Sequence, residues 1–271
     1  MCGRIVQAGA PELPGLSIVT GIGDGRERQP RHNGAPSQLL RVIRRHPDTG
    51  EDRLDLLQWR LIPHRTKQIK AKPINATAER VTSAPMFRAA YAKRRCLIPI
   101  DAFFEWKALK GIKQPYAIGL KSGEPFGLGG LWESWRRPES DEIVRTFCII
   151  TCSANELVSE IHDQMPVIVP ASAYDRWLSN IAPDPRDLMV SFPADLMRMW
   201  PVSTRVNSPK NEASFLGANR PCRYLRAAAV PDNGRNGRIA TAETRALPPS
   251  EATAKRRQWS AAKCSRPGLM A

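Results

Sequence analysis

The chain opens with Met-Cys-Gly-Arg, which places a cysteine directly behind the initiator methionine. Because a small second residue normally permits removal of that methionine, we expect the mature protein to begin with Cys2. Such a residue carries a free α-amine and a thiol on neighbouring carbons. An α-amine with an ordinary pKa of about 7.7–8.0 is partly neutral at pH 7 and can attack a carbonyl carbon. The sequence therefore predicts a pair of nucleophiles at Cys2.

An asparagine stands in an apolar segment that could assist such chemistry. Asn75 follows Pro73 and Ile74 in the stretch PINATAE. Its amide offers two donors and an acceptor, which could orient a substrate carbonyl or hydroxyl. The alternative is an asparagine that only forms a turn.

A glutamate lies among aromatic residues in the stretch DAFFEWK. Strand alternation puts Glu105 on the same face as Phe103, where it would be poorly solvated. Desolvation raises the pKa of a carboxyl group, which suits a group that transfers protons near neutrality. The alternative is an exposed strand glutamate beside an apolar face.

A histidine ends a predicted short helix in the stretch NELVSEIHDQMP. His162 could gain or lose a proton near pH 7. The alternative is a structural histidine whose ring is satisfied by a backbone carbonyl.

These side chains must be positioned by a fold in which strands outnumber helices. Because the two kinds of element do not alternate regularly, we predict an α+β domain with mainly antiparallel, barrel-like sheets and short flanking helices. Ile5 and Val6 begin a first strand. The further predicted strands are Leu39–Ile43, Leu54–Trp59, Cys96–Pro99, Phe103–Lys107, Tyr116–Leu120, Phe126–Leu131, Thr146–Thr151 and Val167–Val169.

Three segments have helical patterns. The first covers residues 83–95, with Ser83 as the expected N-cap and basic residues in its last turn. The second covers residues 153–162, where Ser153 precedes Glu156 at the spacing of a capping box. The third covers residues 172–180.

The domain is predicted to span residues 1–226, and the remainder has a different composition. Residues 227–271 are rich in Ala, Pro, Gly and Arg and have almost no apolar periodicity. Such a segment cannot bury enough apolar area to offset its ordering entropy, so we predict a disordered basic tail. It could act as a non-specific nucleic-acid arm or have no function.

Charge and composition narrow the class of protein. The chain has 41 Lys and Arg against 26 Asp and Glu, a net charge of +15. This favours a polyanionic partner, although a basic surface without a single partner is the alternative. No apolar run approaches the roughly 20 residues of a membrane span, and a signal peptide is not evident. We expect a cytoplasmic protein. The six cysteines form no CxxC pair, so we expect no metal site and no cofactor.

Ten stretches of the chain, taken in order, form one pattern that spans nearly all of the predicted domain and none of the tail. The stretches are MCGR (1–4), NGAP (33–36), WRLIP (59–63), PINATAE (73–79), RRCLIPIDAFFEWK (94–107), QPYAI (114–118), GGLWE (129–133), ITCSAN (150–155), IHDQMPVIV (161–169) and PVSTRVN (201–207). In this order they resemble the SOS-response-associated peptidase family, also known for abasic-site processing and DNA–protein crosslinks.

The resemblance implies a chemistry for the four residues discussed above. Family members bind single-stranded DNA and link their N-terminal cysteine to an abasic site, which shields the lesion during repair. The amine of Cys2 would attack the open-chain aldehyde of the sugar, and its thiol would then close a five-membered thiazolidine. Asn75 would hold the N-terminus and the sugar, Glu105 would be the acid and base in both directions, and His162 would handle a proton on the sugar oxygen.

The same resemblance implies a DNA-binding set around the nucleophile. Gly3 would permit close approach of the backbone and Arg4 would meet a flanking phosphate. Asn33 and Pro36 are expected at this surface, as is Trp106, although packing is favoured over base stacking for the indole. The expected partner is therefore single-stranded DNA with abasic sites, bound by a monomer that associates with the nucleoid.

Three positions depart from the family pattern. The family usually has glycine in place of Arg60 and arginine in place of Thr77 and Gln164. Two lost arginines imply two weakened phosphate contacts, for which Arg60 or Arg80 could compensate.

Two other classes of function stay open. Glutamine amidotransferases with an N-terminal nucleophile also begin Met-Cys-Gly, but their remaining glutamine-site motifs are not evident here. A non-covalent single-stranded DNA-binding protein would result if Met1 were retained. The peptidase or hydrolase activity in the family name refers to proposed self-removal of Met1, whereas the crosslinking itself is lyase-like.

Overall fold

The computed structural model describes residues 2–19, 29–66, 72–181 and 183–213. Within these ranges strands carry most of the chain and the helices are short. The strands are β1 Ile5–Gln7, β2 Ile18–Val19, β3 Arg31–Gly34, β4 Leu39–Arg45, β5 Asp52–Trp59, β6 Asn75–Thr77, β7 Arg95–Ile100, β8 Ala102–Leu109, β9 Ile112–Leu120, β10 Phe126–Arg136, β11 Ile143–Ser153, β12 Gln164–Pro166, β13 Ile168–Val169 and β14 Met197–Pro201. The α-helices are α1 Ala78–Val81, α2 Arg88–Lys93, α3 Glu156–Ser159 and α4 Tyr174–Leu178.

Five of the strands close into a barrel. The order β5–β4–β7–β10–β11 is antiparallel throughout, and a parallel pairing between β11 and β5 completes the ring. The interior is apolar, and the stacked rings of Trp59 and Phe147 lie where β5 meets β11, with centroids 6.0 Å apart. Closure leaves no free edge among these five strands, so the barrel forms a rigid frame for what is attached to it.

Two short strands flank the carboxyl end of β11. Strand β6 pairs with it in parallel, with Asn75 opposite Ile149. Strand β12 pairs with it in antiparallel fashion, with Gln164 opposite Ser153. The barrel thus brings the segment that begins at Asn75 and the segment that follows His162 to the two sides of one strand.

A second sheet has the order β14–β9–β8–β1–β3, and its pairs are antiparallel. One face carries Phe103 and Ile118 and joins the main core, together with Cys2 and Ile5. The opposite face carries Phe104 and belongs to a smaller apolar cluster. This arrangement places the start of the chain beside β8.

The expected fold class is confirmed, because the chain forms an α+β domain with mainly antiparallel sheets, a closed barrel and few short helices. The strand that begins at Ile5 is confirmed, and seven of the other eight predicted strands lie inside observed ones. The last begins one residue late, since β13 covers Ile168–Val169. The predicted tail and the boundary at residue 226 lie outside the described residues.

Both predicted helix N-caps are wrong. Helix α2 begins at Arg88 after Phe87, because Pro85 disfavours the helical conformation of the preceding Ala84 and lies in a turn. Helix α3 is capped by Asn155, whose side chain accepts a hydrogen bond from the Val158 N–H at 2.9 Å. Ser153 is instead the last residue of β11, since the asparagine nearer the helix is an equally strong cap.

The described residues contain neither a membrane-spanning helix nor a cluster of metal-ligating side chains. None of their helices has the length and apolar character needed to cross a membrane. In the same ranges no group of three or more His, Cys, Asp or Glu side chains is arranged to hold a metal ion.

Candidate active site

Cys2 is fully buried and lies three residues before the start of β1. Its thiol Sγ is 4.0 Å from the carbonyl oxygen of Arg4. Burial raises the pKa of the Cys2 thiol far above its ordinary value, and the nearby charge of Glu105 adds to this effect. The thiol is therefore protonated at neutral pH and needs a base to react as a nucleophile.

Asn75 holds the backbone of Cys2. Its amide Nδ2 donates to the carbonyl oxygen of Cys2 at 2.8 Å. The backbone around Asn75 is fixed, since the Ile74 carbonyl accepts from Trp59 Nε1 at 2.9 Å and from the Ile149 N–H at 3.0 Å. The other end of the amide, Oδ1, is buried and has no hydrogen-bond donor within the described part of the chain. Asn75 thus joins the start of the chain to the barrel and keeps one acceptor available.

Glu105 lies in the middle of β8, opposite Tyr116 of β9. Alternation puts it on the face of Phe103, as the sequence predicts, and its side chain is only 4% exposed. Burial raises the pKa of Glu105 to about 7, and the charge of Asp163 adds to the rise. Near neutral pH this carboxyl group exchanges readily between its acid and base forms.

His162 follows α3 and is held by its neighbours. Its Nδ1 accepts a hydrogen bond from the Gln164 N–H at 2.9 Å, while the Asp163 carboxylate oxygen Oδ1 lies 2.8 Å from the same nitrogen. Nδ1 accepts from the Gln164 N–H only when it carries no proton, whereas it can donate to Asp163 only when it carries one. Because burial lowers the pKa of His162, the neutral ring that accepts from Gln164 is favoured. Its proton then lies on Nε2.

An open cavity of about 540 Å³ brings several of these groups together. It is lined by Glu105, Trp106, Lys113, His162 and Asn207. Glu105 is also the residue whose charge acts on the Cys2 thiol. The carboxyl group therefore connects the cavity with the buried start of the chain.

Arg4 anchors the start of the chain to the 3-10 turn Thr204–Asn207. Its Nη1 donates to Asn33 Oδ1 at 2.9 Å and to the Val206 carbonyl at 2.6 Å, and its Nη2 donates to the Asn207 carbonyl at 3.1 Å. The guanidinium also lies 6.0 Å from the ring centroid of Trp106. Arg4 is half-buried. Its guanidinium anchors the start of the chain, and only its accessible part can contact a phosphate.

Asn33 and Trp106 have structural partners as well. Asn33 is fully buried, and its Nδ2 has the carbonyl oxygens of Val206, Ser208 and Asn211 within 3.2 Å. Trp106 Nε1 donates to Asn207 Oδ1 at 2.8 Å. A direct contact of the Asn33 side chain with DNA would break these bonds.

The remaining predicted DNA-binding residues have fewer interactions. Gly3 is half-buried between Cys2 and Arg4, and Pro36 is half-buried in the loop that joins β3 to β4. Two cavity residues, Lys113 and Asn207, were not predicted. Asn207 ends the stretch PVSTRVN, so that stretch contained the signal, whereas the sequence gives no sign of Lys113.

None of the three residues that depart from the family pattern lines the cavity described above. Arg60 Nε donates to Gln58 Oε1 at 2.9 Å. Gln164 Oε1 accepts from Thr151 Oγ1 at 3.3 Å. Thr77 is half-buried at the end of β6, and Arg80 in α1 is exposed.

The chain belongs to the SOS response associated peptidase (SRAP) family, because the model of that family matches residues 1–209. It is 42% identical over 197 residues to the Abasic site processing protein YoqW of Bacillus subtilis, covering 70% of this chain and 86% of that protein. It is 29% identical over 221 residues to the Abasic site processing protein HMCES of Gallus gallus, covering 70% of this chain and 66% of that protein.

Solved structures with a similar fold come from two other bacteria. A protein of Bordetella bronchiseptica is 26% identical with a TM-score of 0.63, and the match covers 74% of this chain and 100% of that one. A protein of Bacteroides thetaiotaomicron, 23% identical with a TM-score of 0.62, shows the fold alone and covers 67% of this chain and 82% of that one.

Proposed function

We propose that this protein processes abasic sites in single-stranded DNA by linking Cys2 covalently to the sugar. One observation carries the proposal: Asn75 fixes the Cys2 carbonyl at 2.8 Å beside a buried glutamate that titrates near neutrality. The names of the relatives YoqW and HMCES, which describe abasic site processing, support the same substrate.

The first step needs the amine of Cys2. Removal of Met1 converts the amide nitrogen of Cys2 into this amine. The neutral amine attacks the aldehyde carbon of the open-chain sugar, a C–N bond forms, and the carbonyl oxygen leaves as water to give an imine. The departing water takes two protons, which the amine nitrogen loses. One of them passes through Glu105, whose acid form donates to the oxygen and whose base form then accepts a proton from the nitrogen.

The second step uses the thiol. The sulfur attacks the imine carbon, an S–C bond forms, and the electron pair of the C=N bond moves to nitrogen. The thiol proton leaves through the base form of Glu105 and is returned to that nitrogen. The product is a five-membered thiazolidine, and the same steps in reverse release the DNA. No oxidant and no cofactor is required.

Asn75 and His162 position the reacting groups and assist the reaction. The buried Oδ1 of Asn75 can accept a hydrogen bond from the amine or from a sugar hydroxyl, while its Nδ2 holds Cys2. His162, neutral with its proton on Nε2, can donate a hydrogen bond to the ring oxygen of the closed sugar when the ring opens. Both groups then act on the same lesion as Glu105.

Single-stranded DNA is proposed as the partner because the reacting carbon must reach a recessed site that a paired strand would not enter. The net charge of +15 favours a polyanion of this kind. We further propose a monomer that acts in the cytoplasm. The half-buried Arg4 and the exposed Lys113 beside the cavity are the proposed phosphate contacts.

Non-covalent binding of single-stranded DNA is the second candidate. It is favoured by one observation, the complete burial of the Cys2 thiol. In that case Met1 would be retained, and the same cavity would bind DNA without a reaction.

Substitutions at Cys2 separate the two candidates. The wild-type protein, Cys2→Ser and Cys2→Ala are each mixed with an abasic oligonucleotide and run on a denaturing gel. Without reduction, wild type should give a stable adduct and the two variants none. Both variants keep the amine but lack the sulfur, so each should give an adduct only after borohydride reduction of the imine. A Cys2→Ala protein that crosslinks like wild type would refute the covalent mechanism.

A further inference from the structure

The hairpin of β8 and β9 extends beyond the rest of its sheet. Strand β8 pairs with β1 at Ala102 and Phe103, and β9 pairs with β14 only from Tyr116 onwards. Within the described ranges, the strand residues of the segment 107–114 pair only with each other. This segment, which we term the arm, begins two residues after Glu105.

One face of the arm continues the face that carries Glu105. Alternation along β8 places Glu105, Lys107 and Leu109 on the same face, and Ile112 lies directly opposite Leu109. Near the core the side chains on this face are buried, whereas at the tip of the hairpin they are exposed to solvent. Leu109 is 40% exposed and Ile112 is 68% exposed. The arm therefore presents a cross-strand apolar pair to solvent in line with the site.

The turn of the arm holds this pair in a defined geometry. Lys110 and Gly111 both have positive φ, 35° and 88° respectively. Two central residues of this kind form the tight turn whose twist matches that of paired strands. Leu109 and Ile112 are thus fixed on either side of the turn rather than carried by a long loop.

The arm is also basic. Lys107, Lys110 and Lys113 occur within seven residues, and Glu105 is the sole acidic residue between positions 105 and 120. Lys107 Nζ lies 4.0 Å from Glu160 Oε2, and both side chains are exposed at least in part. A surface ion pair of this kind contributes little to stability. A polyanion is therefore the partner that this charge pattern favours.

We propose that the arm binds the DNA strand beside the abasic nucleotide, with Lys107 on a phosphate and the Leu109–Ile112 pair against a base. Apolar side chains that cover a base face are a common means of holding unstacked nucleic acid. From Glu105 to Leu109 the strand spans about 13 Å, which matches about four stacked nucleotides and fewer when the strand is unstacked. The inference rests on the proposed function, because it requires the lesion to lie at Glu105.

The test compares oligonucleotides of two lengths. One carries an abasic nucleotide with a single neighbour on each side, and the other has about six neighbours on each side, which is beyond the reach of the arm. The second-order rate of adduct formation is measured for wild type, Ile112→Ser and the double variant Leu109→Ser/Ile112→Ser. We expect a loss of about tenfold for the double variant on the long oligonucleotide, with a smaller loss for Ile112→Ser and no change on the short one.

A matched control lies in another hairpin. Ile143 at the start of β11 is 50% exposed, so Ile143→Ser removes a similar apolar surface. It should behave as wild type on both oligonucleotides. An equal loss for Ile143→Ser, an equal loss on the short oligonucleotide, or no loss for the double variant would each overturn the inference. So would light scattering that shows a wild-type dimer absent from the double variant.

A second readout separates the arm from the chemistry. Affinity for the long oligonucleotide without a lesion is measured by fluorescence anisotropy over a range of salt. Lys107→Gln should reduce the magnitude of the slope of log affinity against log salt by about 0.7, and Lys121→Gln, just after the far end of β9, should not. If wild type forms no adduct at all, the proposed function fails, while this binding comparison still decides whether the arm contacts DNA.

Discussion

The two faces of strand β8 use neighbouring residues in opposite ways. Glu105 faces the main core and stays poorly solvated, so burial raises its pKa to about 7. Trp106, the next residue, faces the smaller cluster and donates to Asn207 Oδ1. One face keeps a group that is ready to change its charge, whereas on the other face Trp106 is held by a hydrogen bond.

The contrast extends to the partners of each face. Behind Glu105 lie the buried thiol of Cys2 and the amide of Asn75, which retains one unfilled acceptor. Around Trp106 lie Arg4 and Asn33, whose polar groups bind the backbone near the 3-10 turn. Glu105 and Asn75 should therefore affect rate, whereas the buried Asn33 should affect stability.

The largest effect is expected for Glu105→Gln. The amide keeps the size of the side chain but cannot exchange a proton, so adduct formation and release should slow by about a hundredfold. Single-turnover rates on an abasic oligonucleotide measure this change. Glu124→Gln, at an exposed position before β10, is the matched control and should leave both rates unchanged. Unchanged rates in both directions for Glu105→Gln would exclude the proton-transfer role.

The same substitution should change the pH dependence of stability. The pKa of Glu105 is about 7 in the folded protein against an ordinary 4.5, so the folded state binds more protons between these values. The free energy of unfolding of wild type should therefore fall between about pH 4.5 and 7 relative to Glu105→Gln, by up to about 3 kcal/mol. Urea unfolding of both proteins across this range measures the difference. A constant difference would contradict the raised pKa.

On the other face of β8 we expect a smaller effect, on stability and not on rate. Asn33→Ala removes the hydrogen bonds of this buried side chain with Arg4 and with the carbonyls of Ser208 and Asn211, so the free energy of unfolding should fall by about 2 kcal/mol. Urea unfolding measures this loss, and the single-turnover rate of the folded fraction should stay near the wild-type value. A large loss of rate with unchanged stability would assign Asn33 to DNA contact instead.

Local patterns predicted the regular parts of this molecule. Strand runs such as Phe126–Leu131 and the buried side of Glu105 follow from alternation, which is a property of neighbouring residues. The short strands β3, β6, β12 and β14 were not predicted, because three to five residues carry little pattern and their pairing partners are distant in sequence.

At the site, too, the sequence did not predict contacts between residues that are distant in the chain. The place of Cys2, Asn75 and Glu105 was expected from the family resemblance, and the structure brings Cys2 beside both of the others. The structural partners of Asn33 were not expected, since its carbonyl partners lie at positions 206–211, more than 170 residues away.

Intact-mass spectrometry of the purified protein, free and after mixing with an abasic oligonucleotide, is the decisive measurement. The free protein should begin at Cys2, and the mixture should contain a species heavier by the oligonucleotide less one water, as condensation requires. Cys2→Ala should show no such species without reduction. A protein that keeps Met1, or one that gains no oligonucleotide mass, would contradict the proposal that amine and thiol of Cys2 react together with the sugar.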